Sequence, residues 1–237
     1  AANKYQRQST LTADRGKIID RNGQIIVEDT VSYKVVAVVR SSVTTNPKKP
    51  RHVTDAHYTA SALADILPLE QERIYEILTR DGDPYQVEFG NAGRGLSYEQ
   101  KNQIEQLDLP GIVLTSEKKR FYPNGSFAAY LIGFAQKVET DGVETTVGKM
   151  GLEQTYNKQL TGIDGKIKYK SDVRGYLLPS SEKMVEPAQD GNDIYLTIDK
   201  TIQNFLEDTM SRVEQEYDPE WMMAIVANPK TGEILAM

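Results

Sequence analysis

The stretch from Arg15 to Val39, RGKIIDRNGQIIVEDTVSYKVVAVV, constrains the fold more than any other part of the chain. Ile18-Ile19 and Ile25-Ile26-Val27 flank Asp20-Arg21-Asn22-Gly23. Asn-Gly between apolar runs is a strong short-range hairpin signal. Beyond Glu28-Asp29, Tyr33 to Val39 continues as a β-branched run long enough to be buried on both faces. The pattern predicts three successive strands against which the rest of the chain packs. Taken alone, it specifies a sheet nucleus and no chemistry.

The bulk properties narrow the class. A chain of 237 residues can build one large domain or two modest ones with a real core. Apolar content of 39% and charged content of 26% are those of an ordinary globular protein. The longest apolar run, Trp221 to Ala227, has seven residues; a membrane helix needs about 18 or more. The chain opens with Ala1-Ala2-Asn3 and no signal-peptide pattern, so it reads as a trimmed or mature fragment and says nothing about an anchor in its parent. The absence of cysteine removes disulfide frameworks, thiolate zinc sites and cysteine nucleophiles. It fits an extracytoplasmic Gram-positive protein, and equally many cytosolic ones. His52 and His57 lie near one another with no third ligand in view, so they read as surface histidines rather than a metal site. No cofactor is expected.

Charge is unevenly placed. Residues 1–51 hold ten Lys/Arg and four Asp/Glu, a balance of +6, and the remainder carries −12. A basic amino-terminal portion on an acidic body suits a segment beside an anionic membrane, or a chance clustering of solvated charges. Nucleic-acid binding is disfavoured, since the basic residues lack interleaved aromatics and the pI is about 5.1.

Taken in order, residues 1–14 read as a polar linker and Ser41 to Lys49 as a loop. Thr54 or Asp55 can cap a helix with Ala56, Ala60, Leu63 and Leu67 on one face, ended by Pro68. A second helix over Glu70 to Arg80 presents Ile74, Ile77 and Leu78, and Asp81-Gly82-Asp83 stops it. Tyr85 to Phe89 is a short strand. Ser97 and Gln100 form a capping box for a third helix through Leu107, before Pro110-Gly111 and a strand at Ile112 to Thr115. Residues 44–115 thus form an inserted α+β subdomain. A turn at Tyr122 to Gly125 leads into apolar Phe127 to Gly133, and residues 137–149 read as a polar loop. Met150 to Leu160 is a short helix with Leu152, Tyr156 and Leu160 on one side. Lys166 to Leu178 is a hairpin turning at Asp172-Arg174-Gly175, and Ser180 to Asp190 is a linker. Asp193 to Ile198 is a strand. Asp199 caps an amphipathic helix bearing Ile202, Phe205, Leu206, Met210 and Val213, and Trp221 to Ala227 is a buried strand turned back by Pro229 to Gly232.

Four separated blocks, RGKIIDRNG (15–23), RFYPNGSFAAYLIG (120–133), GLEQTYNKQLTGIDG (151–165) and DIYLTIDKTIQNFLE (193–207), occur in order and are followed by AIVANPKTGEILAM. They resemble the amino-terminal half of class B penicillin-binding proteins, closest to the division-specific penicillin-binding protein 2B type of Gram-positive bacteria. The resemblance covers essentially the whole chain. It implies an α+β fold: an elongated, non-catalytic pedestal of mixed strands and short helices over 15–192, then the first helix and hairpin of a transpeptidase domain at 193–237. It further implies a single membrane anchor upstream of residue 1, an extracytoplasmic location near peptidoglycan, and divisome membrane proteins and the glycan polymerase of the pathway as partners. Arg15, Gly16, Asp20, Arg21, Asn22, Gly23, Arg120, Pro123, Gly125, Gly151 and Glu153 match the pedestal motifs. Arg offers a planar fork and Glu accepts in two places, so Arg15, Arg120 and Glu153 are candidates for one cluster with a structural or allosteric role.

The family's reaction needs a Ser-x-x-Lys opening a buried helix, a Ser-x-Asn and a Lys-Thr-Gly on a neighbouring strand. Ser116-x-x-Lys119 and Ser180-x-x-Lys183 fit the first spacing, but neither serine begins an apolar helix that would desolvate its lysine into a base. Lys230-Thr231-Gly232 follows Asn228-Pro229 and reads as a turn. Asn124-Gly125-Ser126 has the glycosylation pattern and is better explained by its turn. No catalytic residue is expected within the chain; a nucleophile at Ser116 or Ser180, or a free-standing wall-binding or adhesion module, are the competing readings.

Overall fold

The computed structural model describes residues 5–140, 143–171 and 184–237. The chain divides into two units, Ala1–Asp29 with Arg120–Met237, and Thr30–Lys119. Where a polar linker is expected, Tyr5–Leu11 instead form strand β1. Its antiparallel partner pairs Leu11 with Gly165, so the order comes from a distant ladder and leaves no local periodicity to read. Strand β2 (Ile18–Ile19) turns through Gly23 (φ 84°) into β3 (Ile25–Val38), with Ile18 opposite Val27. The expected second and third strands are thus one. Glu28-Asp29 does not interrupt it, because the Asp29 carboxylate is bound by fixed donors, described below.

In the Thr30–Lys119 unit, the Val36–Val38 end of β3 is buried as the valine run predicts. Helix α1 (Ala56–Ala64) is capped by Asp55, which accepts from the Tyr58 N–H at 2.9 Å. Helix α2 (Gln71–Leu78) buries Ile74 and Leu78. Strand β4 (Gln86–Glu88) pairs antiparallel with β3, Val36 opposite Glu88. Helix α3 (Tyr98–Gln106) carries the Ser97/Gln100 capping box. Strand β5 (Ile112–Phe121) pairs with β3 and runs well past Thr115, so Ser116 lies exposed inside a strand. The core of this unit is Val35, Ala37, Leu63, Ile74, Phe89 and Ile104. His52 Nδ1 contacts Thr44 Oγ1 at 2.6 Å and the His57 ring stacks on Tyr75.

The chain re-enters the first unit at Arg120. A turn at Tyr122 to Ala128 leads to helix α4 (Ala129–Ile132). Strands β6 (Ala135–Thr140) and β7 (Val143–Gly148) then pair as a hairpin, where a polar loop is expected. The alternating Thr/Val pattern around the Asp-Gly at 141–142 is the sequence signal for it. The single helix expected at Met150 to Leu160 is two, α5 (Gly151–Thr155) and α6 (Asn157–Leu160), broken at Tyr156, where ψ is 19°. Strand β8 (Gly165–Ser171) lies between β1 and β9 (Met184–Glu186), the latter inside the expected linker. The expected hairpin turn at 172–175 and the Ser180-x-x-Lys183 spacing lie outside the described residues.

Strand β10 (Ile194–Tyr195) pairs in parallel with β2. Helix α7 (Lys200–Tyr217) follows the Asp199 cap, and β11 (Val226–Ala227) pairs with β12 (Ile234–Ala236) through a turn in which Gly232 has φ 76°. Lys230-Thr231-Gly232 is therefore a turn. The expected buried strand at Trp221 to Ala227 is cut to its last two residues, and Phe205, Trp221 and Met223 are at least 70% exposed. The periodicity marked an apolar face: Ile202, Leu206 and Met210 are half-buried, and among the described residues none covers Phe205. The core here is Ile18, Ile26, Val27, Phe127, Ile132 and Leu160. No helix among the described residues is long and apolar enough to cross a membrane.

Candidate functional site

Glu153 lies in the first turn of α5 and is wholly buried. A bare carboxylate there would carry a large desolvation cost, so its partners decide whether the fold is possible. The Arg15 Nε–H donates to Glu153 Oε2 at 2.8 Å, and the Arg120 Nε–H to Oε1 at 2.7 Å. Each guanidinium then spends its other donors on fixed acceptors. Arg15 Nη2 reaches the Glu153 carbonyl at 3.0 Å and Nη1 the Thr161 hydroxyl at 2.9 Å. Arg120 Nη2 reaches the Gly16 carbonyl at 2.8 Å, and Nη1 reaches Asp29 Oδ1 at 3.1 Å. The second Asp29 oxygen accepts from the Arg15 backbone N–H at 2.8 Å.

Two guanidinium charges thus meet two carboxylates, and the cluster is neutral as a whole. Tyr122 completes it. Its hydroxyl donates to Glu153 Oε1 at 3.4 Å and accepts from the Ala135 N–H at 2.9 Å. Burial, reinforced by the neighbouring Glu153 charge, pushes the Tyr122 phenol up to about 12, so it stays a neutral donor. The cluster ties together β3, β5, the α5–α6 segment and the chain around Gly16. Close approach is built in at two glycines. A Cβ on Gly16 would lie 1.9 Å from the Asn192 carbonyl oxygen, and one on Gly151 (φ 61°) 2.4 Å from that of Leu131.

A second polar assembly sits at the amino terminus of α7. Asp20, also wholly buried, accepts through Oδ1 from the Asn22 and Gln24 N–H groups, both at 2.8 Å. Its Oδ2 accepts from the Lys200 N–H at 3.1 Å. The Arg21 N–H donates to the Ile198 carbonyl at 3.0 Å, and its guanidinium pairs with Glu233 at 3.6 Å. Asn22 Nδ2 donates to Asp199 Oδ2 at 3.0 Å. This bond, with the Ile202 N–H next, holds the Asp199 carboxyl below its usual range. The Asp-Arg-Asn-Gly turn is therefore more than hairpin chemistry: it clasps the start of α7 and the β11–β12 turn.

The structure brings Arg15, Gly16, Arg120 and Glu153 into one cluster, with Gly151 beside it. Asp20, Arg21 and Gly23 belong to the clasp on α7. Pro123 is exposed and Gly125 (φ 60°) closes the turn after Tyr122, both outside the buried cluster. Sequence reasoning missed Asp29, Tyr122 and Thr161. An acidic residue inside a β-branched run was the available signal for Asp29; nothing local marks the other two. Among the described residues no group of three His, Cys, Asp or Glu side chains could hold a metal ion.

The pattern of the penicillin-binding protein dimerisation domain matches residues 10–196, and the chain belongs to that family. Its relatives are class B penicillin-binding proteins. It is 31% identical to stage V sporulation protein D of Bacillus subtilis (strain 168) over 237 residues, 100% of this chain and 34% of that protein. It is 30% identical to the peptidoglycan D,D-transpeptidase FtsI of Buchnera aphidicola subsp. Schizaphis graminum (strain Sg), over 93% of this chain and 37% of that protein. Penicillin-binding protein 2 of Helicobacter pylori, solved in complex with MreC, superposes with a TM-score of 0.70 at 18% identity, over 98% of this chain and 42% of that one, a likeness of fold alone. The chain spans about a third of the length of the curated relatives it matches.

Proposed function

We propose that this chain is the non-catalytic pedestal of an extracytoplasmic peptidoglycan D,D-transpeptidase of the division-specific type, anchored to the membrane upstream of residue 1. Residues 15–192 form the pedestal with its inserted subdomain at 44–115, and 193–237 open the transpeptidase domain. The observation that carries this reading is the Arg15–Glu153–Arg120–Asp29 cluster: it joins segments far apart in sequence without presenting a reactive group to solvent. The exposed Phe205, Trp221 and Met223 offer the apolar surface on which a following domain would pack. The named activity of the FtsI relative supports the transpeptidase assignment. In the whole protein a serine beyond residue 237 is acylated by the stem peptide and passes the acyl group to a neighbouring amine, and β-lactams acylate the same serine. The pedestal positions that domain and meets membrane partners and the glycan polymerase.

The test is fluorescent penicillin. The 237-residue chain takes up no covalent label, while the longer protein encoding it is labelled at a Ser-x-x-Lys helix downstream of Met237. Labelling of the short chain that disappears in Ser116→Ala or Ser180→Ala overturns the pedestal reading.

A further inference from the structure

Gln203 is the buried polar side chain of α7, at 1% exposure. Its amide is spent as a peptide group would be. Oε1 accepts from the Met237 N–H at 2.8 Å, and Nε2 donates to the Met237 carbonyl at 2.8 Å, so one side chain adds a rung to the end of β12. Nε2 also donates to Glu207 Oε1 at 2.8 Å, one helical turn along. That same Glu207 oxygen accepts from the Ala128 N–H at 2.6 Å. Ala128 is held in the left-handed region, at φ 44° and ψ 39°, which an L-alanine rarely adopts. It closes the turn that begins at Tyr122, through bonds from Gly125 to Tyr122 and from Phe127 to Asn124. Tyr122 in turn donates to Glu153.

We propose that Gln203 and Glu207 are positioning residues, forming a latch on α7 that couples the Tyr122–Ala128 turn to the direction in which the chain leaves β12. The inference rests on the pedestal reading for its functional consequence, since what leaves β12 is then the route to the catalytic domain. An apolar side chain of similar length would fill the space beside Ile202 and Leu206 at no desolvation cost; a buried amide earns its place by fixing register and direction. The bonding is also indivisible. Glu207 accepts from Ala128 and Gln203 through one oxygen, so losing Glu207 strips an acceptor from both, and losing Gln203 removes the donor that holds the Glu207 carboxylate against Ala128. Strand β12 keeps a separate tether, the Asp199 N–H to the Leu235 carbonyl at 2.8 Å, so loss of the latch redirects Met237, just past the strand, without releasing the strand.

Amide hydrogen exchange on the 237-residue chain tests the latch, and penicillin acylation of the longer protein tests its consequence. In Gln203→Met, exchange at Met237 and Ala128 speeds up about tenfold or more, while residues 30–119 keep their protection. Glu207→Gln, which keeps the accepting oxygen, leaves Ala128 within about threefold of the parent, and Glu207→Leu does not. In the longer protein Gln203→Met is acylated more slowly, with the final labelled fraction unchanged. Parental exchange rates at Met237 and Ala128 in Gln203→Met, protection lost throughout residues 30–119, or an unchanged acylation rate each overturn the proposal. A longer protein that takes no label at all, beside the expected exchange pattern, overturns the pedestal reading and leaves the latch standing.

Discussion

Glu153 shows how a single buried charge can organise a fold. Both its oxygens accept from a guanidinium Nε–H, at 2.8 and 2.7 Å, and its own carbonyl accepts a third bond from Arg15. Such a cluster is not a large net source of stability, because desolvating four charged groups offsets most of the attraction between them. Removing one member is another matter. Glu153→Ala leaves two guanidiniums buried against Asp29 alone, and the expected loss is about 3–5 kcal/mol. For a chain of this size that lowers the melting temperature by roughly 10 °C. Thermal unfolding followed by circular dichroism reads it directly, and a midpoint within about 1 °C of the parent would remove the cluster from the account of stability.

At the scale of elements, α7 depends on polar clasps as much as on its own sequence. Asp199 accepts from the Thr201 and Ile202 N–H groups, at 2.9 and 3.1 Å, and from Asn22 across the fold. Asp199→Ala is expected to cost about 1–2 kcal/mol, more than an isolated cap, because the Asn22 amide loses its acceptor too. In denaturant unfolding, Asn22→Ala combined with Asp199→Ala should then cost less than the two single changes added together; strict additivity would show that the clasp carries no energy of its own. The pH dependence has a definite sign. The folded carboxyl titrates below its ordinary value of 3.8, so the contribution of Asp199 is full above that value and is lost as the pH falls beneath it. Several elements escaped the sequence for an element-scale reason. Strands β1 and β9 find their partner in β8; β1 is polar and lies more than 150 residues before it, and β9 has only three residues, so neither carries an alternation to detect.

On the scale of the whole molecule, each unit holds its own buried apolar core. Leu63, wholly buried on α1, belongs to the core of residues 30–119. Leu63→Ala removes a well-packed side chain and should cost about 2–5 kcal/mol. Hydrogen exchange locates the damage: protection falls within 30–119 and persists around Glu153 and Asp20. Equal loss in both units would show that they unfold as one cooperative body.

The chain by itself determined what local physics can specify. The Asn22-Gly23 turn, the Asp55, Ser97 and Asp199 caps, the buried valine run and the Lys230-Thr231-Gly232 turn all follow from short-range preferences of the backbone. The order of four motif blocks pointed to the family, and the motif positions of Arg15, Arg120 and Glu153 within that resemblance made them candidates for an ion cluster. Only the tertiary structure decided that Asp29 and Tyr122 join that cluster, that Asp20 and Asn22 clasp α7, and that Gln203 bonds the backbone of Met237. The reason is physical. A cap or a turn is satisfied by neighbours a few residues away and leaves its mark in their spacing. A buried carboxylate or amide is satisfied by whichever donors the fold delivers, and those lie up to 180 residues off.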